Sequence, residues 1–513
     1  MPTAAVTQPA DGARRALPTE SDAPPTDAGP RRAAGGDGPS RRTWIALVVL
    51  LAGTFMSLLD TTIVNVALPT IRESLQASES TLSWIISGYA LAFGLALIPA
   101  GRIGDRFGHK WVFFSGLALF TVASLACGLA QSSTLLIVAR VVQGLAGGIF
   151  FPGVTALIQL MFTGPVRGKA FAVMGAVIGF STALGPLVGG LLIQALGEEN
   201  GWRYIFGVNL PIGVAAVIAA AYLLPKGAEG GAARGIDTVG LILLSAALVA
   251  ILVPLIQGQD QGWPLWTYLS LVGGGVLLVL FALWEIRYTK RGKSPLVPPH
   301  LFSHRAFTGG TILALVYFAA FTSIFFTISL FWQTGLGHTA LQSGLVTIPF
   351  AIGSIVGSTL SNRLASKLGR TVLILGTALV TAGLVALWLL LTFVAATDLT
   401  HWHLLIPLLV AGFGNGLFIA PNAQFIVATV DRQEAGAASG VVGTMQRLGS
   451  AVGIAVIGSV LFGSLEVKGP GPGALAVAFG HSATLALGVS AAFAAVAFCL
   501  VFTLPRRVSR GWD

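Results

Sequence analysis

Fourteen apolar stretches, each near the ~20 residues that an α-helix needs to cross a hydrocarbon core of about 30 Å, occupy residues 43–504 of this 513-residue chain. Their approximate limits are 43–68, 81–100, 111–130, 134–157, 168–195, 203–224, 237–256, 266–286, 306–332, 342–361, 371–395, 403–426, 436–463 and 480–504. Hydrocarbon offers no partner to a backbone N–H or C=O, so such stretches have to satisfy themselves as helices. The expected fold class is an all-α polytopic membrane protein with 14 transmembrane helices. A soluble alternative fails on composition, because 54% hydrophobic against 10% charged residues leaves too little polar surface to cover a globule of this length. The net charge of +10 is spread through short loops instead of forming one basic patch with interleaved aromatics, so no nucleic-acid partner is expected. Cys127 and Cys499 sit inside apolar runs, where they read as small core residues and not as metal or redox groups.

The loops orient the helices, since short cytoplasmic loops carry an excess of Lys and Arg. With both termini and the even-to-odd loops inside, 25 of the 30 basic residues are cytoplasmic, while only Arg72, Arg203 and Lys468 lie outside and only Arg140 and Arg447 lie within spans. One missed span would invert every later loop and destroy that asymmetry. Residues 1–42 contain three Arg pairs among Pro, Gly, Ala and Asp and no signal-peptide core, so they are expected to be a disordered cytoplasmic tail. Residues 505–513 form a second, short one.

The chain also repeats itself. At an offset of 261 residues Arg102, Arg106 and Gly108 match Arg363, Lys367 and Gly369, and at 268 residues Gly168, Gly175, Gly185 and Gly190 match Gly436, Gly443, Gly453 and Gly458. Spans 1–6 and 9–14 therefore read as two copies of a six-helix unit, 43–224 and 305–504, joined by a linker over 225–304 that carries two inserted spans. Two parallel halves with a site between them is a transporter architecture.

Few residues interrupt the apolar spans, and each has a physical reading. Asp60 is the only carboxylate well inside any span, where its charge costs on the order of 2.5–3.5 kcal/mol. Gly53, Met56, Ser57, Asp60 and Val64 share one helical face, expected to line a cavity; the alternative is an Asp tied to Thr61 or Asn65 merely to fix helix 1. Arg140 cannot shed its proton, and its face continues through Gln143, Gly144, Gly147 and Phe151. It is either a functional charge or an interhelical hydrogen-bond post. Arg447 of helix 13 is equally open between cavity charge and structural post. Helix 5 aligns Gly175, Gly179, Thr182, Pro186 and Gly190, a small-residue packing stripe with a proline bend, with Gly185 and Gly189 beside it. Between helices 2 and 3, Gly101–Lys110 (G-R-I-G-D-R-F-G-H-K) is expected to be a tight charged turn whose glycines allow the bend. Arg102, Asp105 and Arg106 then either hold an inner gate or simply obey the positive-inside rule. Helix 9 is aromatic, with Tyr317, Phe318, Phe321, Phe325, Phe326, Phe331 and Trp332. Lipid-facing rings and aromatic belts explain most such patterns, but rings that face a cavity favour a bulky amphipathic compound.

These motifs resemble those of the major facilitator superfamily, and the fourteen spans resemble its drug:proton antiporter branch, the EmrB/QacA subfamily. Gly101–Lys110 is similar to the superfamily's loop 2–3 signature and Arg140-V-V-Gln143-Gly144 to its helix-4 motif. Gly179–Gly190 (G-F-S-T-A-L-G-P-L-V-G-G) is similar to the antiporter motif, and Leu59–Pro69 (L-D-T-T-I-V-N-V-A-L-P) to the helix-1 motif of drug exporters. Trp202–Pro211 (W-R-Y-I-F-G-V-N-L-P) is a further subfamily mark. The resemblance covers about 43–504 and implies a proton-coupled efflux transporter of the bacterial plasma membrane, with Arg140 helping to couple proton transfer to substrate movement.

Other classes fit less well. The two nearest approaches to a nucleotide-binding G-x-x-x-x-G-K-[ST] loop fail, with Thr163 ahead of Gly168-Lys169-Ala170 and Arg287 ahead of Gly292-Lys293-Ser294. No enzyme, metal or cofactor is expected. Export of bulky amphipathic compounds is the leading reading, followed by movement of a metabolite or lipid and then by a transport-dead receptor. Asp60 with Arg140 is the expected proton-coupling pair, and Met56, Asn65, Gln143, Phe325, Trp332 and Arg447 are the cavity candidates. Protons, an amphipathic small molecule and the lipid bilayer are the expected partners of a monomer.

Overall fold

The computed structural model describes residues 40–505 except 78, 198, 226–236, 259–260, 429, 432–433 and 468–471; the two expected tails fall almost wholly outside the described residues. Within them, fourteen helices are long and apolar enough to cross a membrane. They are α1 Arg41–Leu68, α2 Trp84–Phe107, α3 His109–Gly128, α4 Ser133–Met161, α5 Gly164–Leu196, α6 Gly201–Leu223 and α7 Thr238–Gln257, then α8 Leu265–Lys290, α9 Arg305–Gly335, α10 Leu341–Leu368, α11 Thr371–Phe393, α12 His401–Val427, α13 Ala435–Gly463 and α14 Gly473–Val501.

The structure corrects the expected turn between α2 and α3. Gly101–Phe107 is helical, and the whole reversal is made at Gly108, whose φ of 94° is accessible to glycine at no cost. The charged residues lie at a helix end already clear of the apolar core, so nothing obliges the helix to stop before them. Gly369, the repeat partner of Gly108, ends α10 in the same way with φ 54°. Gly101 serves packing instead, since a Cβ there would meet the backbone of Gly436 in α13, and its absence permits a close helix approach. A further correction concerns α8, which runs on to Lys290 and so encloses Glu285, a second span carboxylate and 2% exposed.

Helix pairings obey the repeat. Contacts of α1 with α5 and α6, of α3 with α4 and α6, and of α2 with α4 have counterparts in those of α9 with α13 and α14, of α11 with α12 and α14, and of α10 with α12. Across the two sets, α2 packs on α13 as α5 packs on α10. The first six helices bury Phe93, Phe113, Phe120 and Phe150 at their centre, and the last six bury Tyr317, Phe321, Phe331, Trp332 and Phe350. Of the eight aromatic residues of α9 none is exposed, and Phe307, Tyr317, Phe321, Phe331 and Trp332 are buried in protein. Helices α7 and α8 pack on each other, and α7 lies against both α2 and α13, with Leu244, Leu248 and Leu252 against Ile98, Val441 and Leu448.

Candidate functional site

Near the middle of α1, Asp60 points into the first six helices and is fully buried, and Arg140 of α4 reaches it with Nη1 2.5 Å from Oδ2. The same Nη1 donates to Gln143 Oε1 at 2.7 Å, Arg140 Nε donates to the Ile85 carbonyl at 3.2 Å, and the guanidinium lies 4.1 Å from the Tyr89 ring centroid. The other carboxylate oxygen, Oδ1, accepts from Gln143 Nε2 at 2.9 Å and from Asn209 Nδ2 at 3.2 Å. Asn209 also donates to Ser124 Oγ at 3.0 Å, and Ser124 donates to the Phe206 carbonyl at 2.9 Å. Five helices thus converge on one ion pair. A guanidinium that cannot neutralise and a carboxylate in hydrocarbon would each be expensive alone. Together, with both carboxylate oxygens and the Nε and Nη1 donors engaged, they are tolerated.

This arrangement excludes an Asp60 tied to Thr61 or Asn65. Thr61 Oγ1 donates to the Ser57 carbonyl at 2.8 Å and Asn65 Nδ2 to the Thr61 carbonyl at 3.5 Å. Both serve their own helix, so neither holds Asp60. The face bearing Gly53 and Met56 turns toward neighbouring helices: a Cβ on Gly53 would lie 3.2 Å from Phe113 and Phe150, and one on Gly213 of α6 would lie 3.0 Å from Met56 Cε. Met56 is fully buried in that core, whereas Asn65 is exposed. Tyr89, Ser124 and Asn209 escaped the sequence reading. Asn209 could have been found, because it is the polar residue within the Trp202–Pro211 mark. In that mark Trp202 is fully buried and Arg203 donates to the Gly128 carbonyl at 3.1 Å, which fixes the end of α3 and sets the register that brings Asn209 to Asp60.

The other candidates are dispersed. Phe325 is half-buried with its ring 5.0 Å from that of Phe350, and Trp332 stacks on His338 at 5.3 Å. Arg447 of α13 lies 4.0 Å above the Phe93 ring of α2, on the seam between the two sets of helices.

At the end of the molecule that carries the Gly108 turn, Asp105 bridges the sets. Its Oδ1 accepts from Gly436 N at 2.9 Å and its Oδ2 from Ala437 N at 3.0 Å, in the first turn of α13. There the unpaired N–H groups and the helix dipole favour an anion. His109 Nε2 stands 3.2 Å from Asp105 and Arg102 Nη1 3.8 Å, while Arg102 also donates to the Pro295 carbonyl of the linker. Arg106 lies outside this knot, over the Phe107 ring at 5.0 Å. At the same end Gln159 donates to the Val427 carbonyl at 3.3 Å and Gln424 to the Gly168 carbonyl at 3.4 Å, a matched pair of α4–α12 and α12–α5 contacts.

The small residues of α5 face two ways. Added methyls at Gly175 and Gly190 would meet Ser358 at 3.2 Å and Leu341 at 3.3 Å, both of α10, and Gly344 of α10 approaches Pro186. Gly179 packs on Ser354 of the same helix, whereas Gly185 and Gly189 turn to Thr62 and Ile63 of α1.

Comparison with known proteins agrees with this geometry. Residues 50–454 match the sequence profile described as the Major Facilitator Superfamily. A probable actinorhodin transporter of Streptomyces coelicolor is 38% identical over 88% of this chain and 78% of its own length. The tetracenomycin C resistance and export protein of Streptomyces glaucescens is 32% identical over 82% of this chain and 76% of its own. Among solved structures, a major facilitator proton:xylose symporter bound to 6-bromo-6-deoxy-D-glucose superposes with a TM-score of 0.61 at 15% identity, covering 88% of this chain and 95% of that one, which establishes the shared fold. The chain belongs to the major facilitator superfamily and to its drug-efflux branch, and it is a multi-pass membrane transporter and not an enzyme.

Proposed function

We propose that this transporter exports bulky amphipathic compounds of the antibiotic class across the bacterial plasma membrane in exchange for protons, working as a monomer by alternating access with both termini cytoplasmic. Residues 43–224 and 305–504 are the two moving bodies, and the linker over 225–304 joins them. The observation that carries this reading is the Asp60–Arg140 pair, fully buried in a half that faces the other across α2–α13 and α5–α10. Asp60 can take up a proton and Arg140 cannot give one up. Protonation of Asp60 would release Arg140 from its only ion pair among the described residues and change the charge of the helix 1–helix 4 contact. A conformational equilibrium moves only when its two states bind the proton differently, and this contact supplies such a difference. The Asp105 contacts with α13 then act as the cytoplasmic gate, and the α5 stripe as the surface on which the halves rock. The relatives named for actinorhodin and tetracenomycin C support an antibiotic-class cargo.

The test is drug efflux from everted vesicles of a pump-deficient strain carrying the gene, with and without a protonophore. Wild-type efflux should collapse with the proton gradient, and Asp60→Asn should lack gradient-driven accumulation. Protonophore-sensitive efflux by Asp60→Asn at the wild-type rate would refute the assignment of Asp60.

A further inference from the structure

The charges of the membrane interior do not all pair. Asp60 is occupied by Arg140, Gln143 and Asn209. The buried acids beside the inserted helices have hydrogen bonds of their own: Asp237 accepts from Trp284 Nε1 at 2.8 Å and from Gly240 N, and Glu285 Oε2 accepts from Val297 N at 3.2 Å, while its Oε1 has no partner among the described residues. Arg447 is the exception. Among the described residues it has no hydrogen bond and no ion pair, and its guanidinium rests on the face of Phe93 at 4.0 Å. Its neighbour on the helix surface, Thr444, has a buried hydroxyl that also lacks a partner among the described residues.

Arg447 is half-buried on the seam, and a guanidinium partly withdrawn from water, with one aromatic contact and no acceptor among the described residues, gains from an anionic partner. The described carboxylates of the first helical set that could supply the missing anion are engaged elsewhere, Asp60 with Arg140 and Asp105 with the first turn of α13. A ladder nonetheless links the two cations. Arg140 lies on Tyr89, Tyr89 lies 5.9 Å from Phe93, and Arg447 lies on Phe93. The seam therefore presents one uncompensated positive charge on an aromatic wall that continues through Phe151, 5.6 Å from Phe93. An anion delivered by the cargo would complete it.

We propose that Arg447 is the recognition group for an acidic cargo: an organic anion whose carboxylate or acidic phenol hydrogen-bonds the guanidinium and whose ring system rests on the Phe93–Phe151 wall. The site thus selects acidic over cationic amphiphiles. Asp60, an acid that could attract a cationic drug, has both oxygens engaged and its charge neutralised by Arg140 in this arrangement. This inference rests on the reading of the chain as a drug exporter, but binding can be measured without a proton gradient.

The probes are fluorescein and rhodamine 123, two dyes of one xanthene scaffold and opposite charge, titrated by fluorescence anisotropy into the full chain in nanodiscs. Wild type should bind fluorescein about 10-fold or more tightly than rhodamine 123, the ratio that one charge-assisted hydrogen bond confers. Arg447→Gln should abolish the preference. Arg447→Lys keeps the charge without the planar fork and should retain part of it. Equal or stronger binding of rhodamine 123 by wild type, absence of fluorescein binding, or an unchanged preference in Arg447→Gln would each overturn the proposal; the wild-type comparison decides even where a variant fails to fold. Charge selectivity in nanodiscs combined with gradient-independent efflux in vesicles would refute proton coupling while leaving this site standing. Gradient-driven efflux that ignores cargo charge would do the reverse.

Discussion

Asp60→Asn alters the buried ion pair while preserving its volume, so the consequences can be worked from the contacts. The carboxylate accepts from three donors, with Arg140 on Oδ2 and Gln143 and Asn209 on Oδ1. An amide has one acceptor oxygen, so whichever way it is placed its NH2 group faces a donor, either Arg140 or the Gln143–Asn209 pair. Arg140 keeps its bond to the Ile85 carbonyl, its bond to Gln143 and its contact with Tyr89, but its charge is left uncompensated. Removing one partner of a buried pair costs about 3–5 kcal/mol, less than the ~5–15 kcal/mol that typically separates folded from unfolded protein. The variant should therefore reach the membrane but melt early. Arg140→Gln should cost a similar amount by leaving Asp60 exposed to the same penalty. The double variant, which removes both charges, should be more stable than the sum of the single effects implies, with an interaction energy of about 3 kcal/mol. The assay is thermal unfolding of all four proteins in one detergent, run beside vesicle transport. Strict additivity, or single effects under about 1 kcal/mol, would refute the claim that the pair is desolvated and mutually dependent.

Four further outcomes follow from the geometry. Asp105→Ala loses two charge-assisted bonds to the first turn of α13, each worth about 1.5–3 kcal/mol; the gate should open more often, seen as faster alkylation of a cysteine replacing the buried Ala437, and an unchanged rate would remove Asp105 from the gate. Pro186→Leu or Gly190→Leu should leave the protein in the membrane yet slow efflux, because the α5–α10 contact has no room for the added carbons; wild-type rates at equal expression would sink the reading of the α5 stripe as the rocking surface. Glu434 lies just before α13 with His300 of the linker 2.9 Å away. Its burial raises the carboxyl above the ordinary value, assisted by Asp431 and opposed by His300 and Arg102. Its contribution to closure is then full below the ordinary carboxylate range and fades as pH rises through the raised value, so Glu434→Gln should flatten the pH dependence of cysteine accessibility at this face, and an unaltered profile would exclude Glu434. Finally, single cysteines at Asn200 and Gly471, introduced after replacing the exposed Cys499, should label from outside the cell, and labelling only from the cytoplasm would reverse the proposed topology.

The fourteen crossings, the class and the repeat were legible along the chain, because the length of an apolar run and the spacing of glycines are local properties that the bilayer reads directly. Asp60 and Arg140 were also legible as residues, since each charge stands out against hydrocarbon. Their being partners was not, for they are 80 positions apart and nothing in either helix by itself specifies which face meets which. Asn209, Ser124 and Tyr89 joined the site only when α6, α3 and α2 were packed around α1. Gly101 and Gly108 looked alike in sequence, but packing made one a close approach to α13 and the other a reversal with φ 94°. Arg447 shows the difference most plainly. Its charge could be read from the sequence, but whether that charge is spent depends on every element around it, and only the tertiary structure leaves it facing Phe93 with its hydrogen bonds unmade.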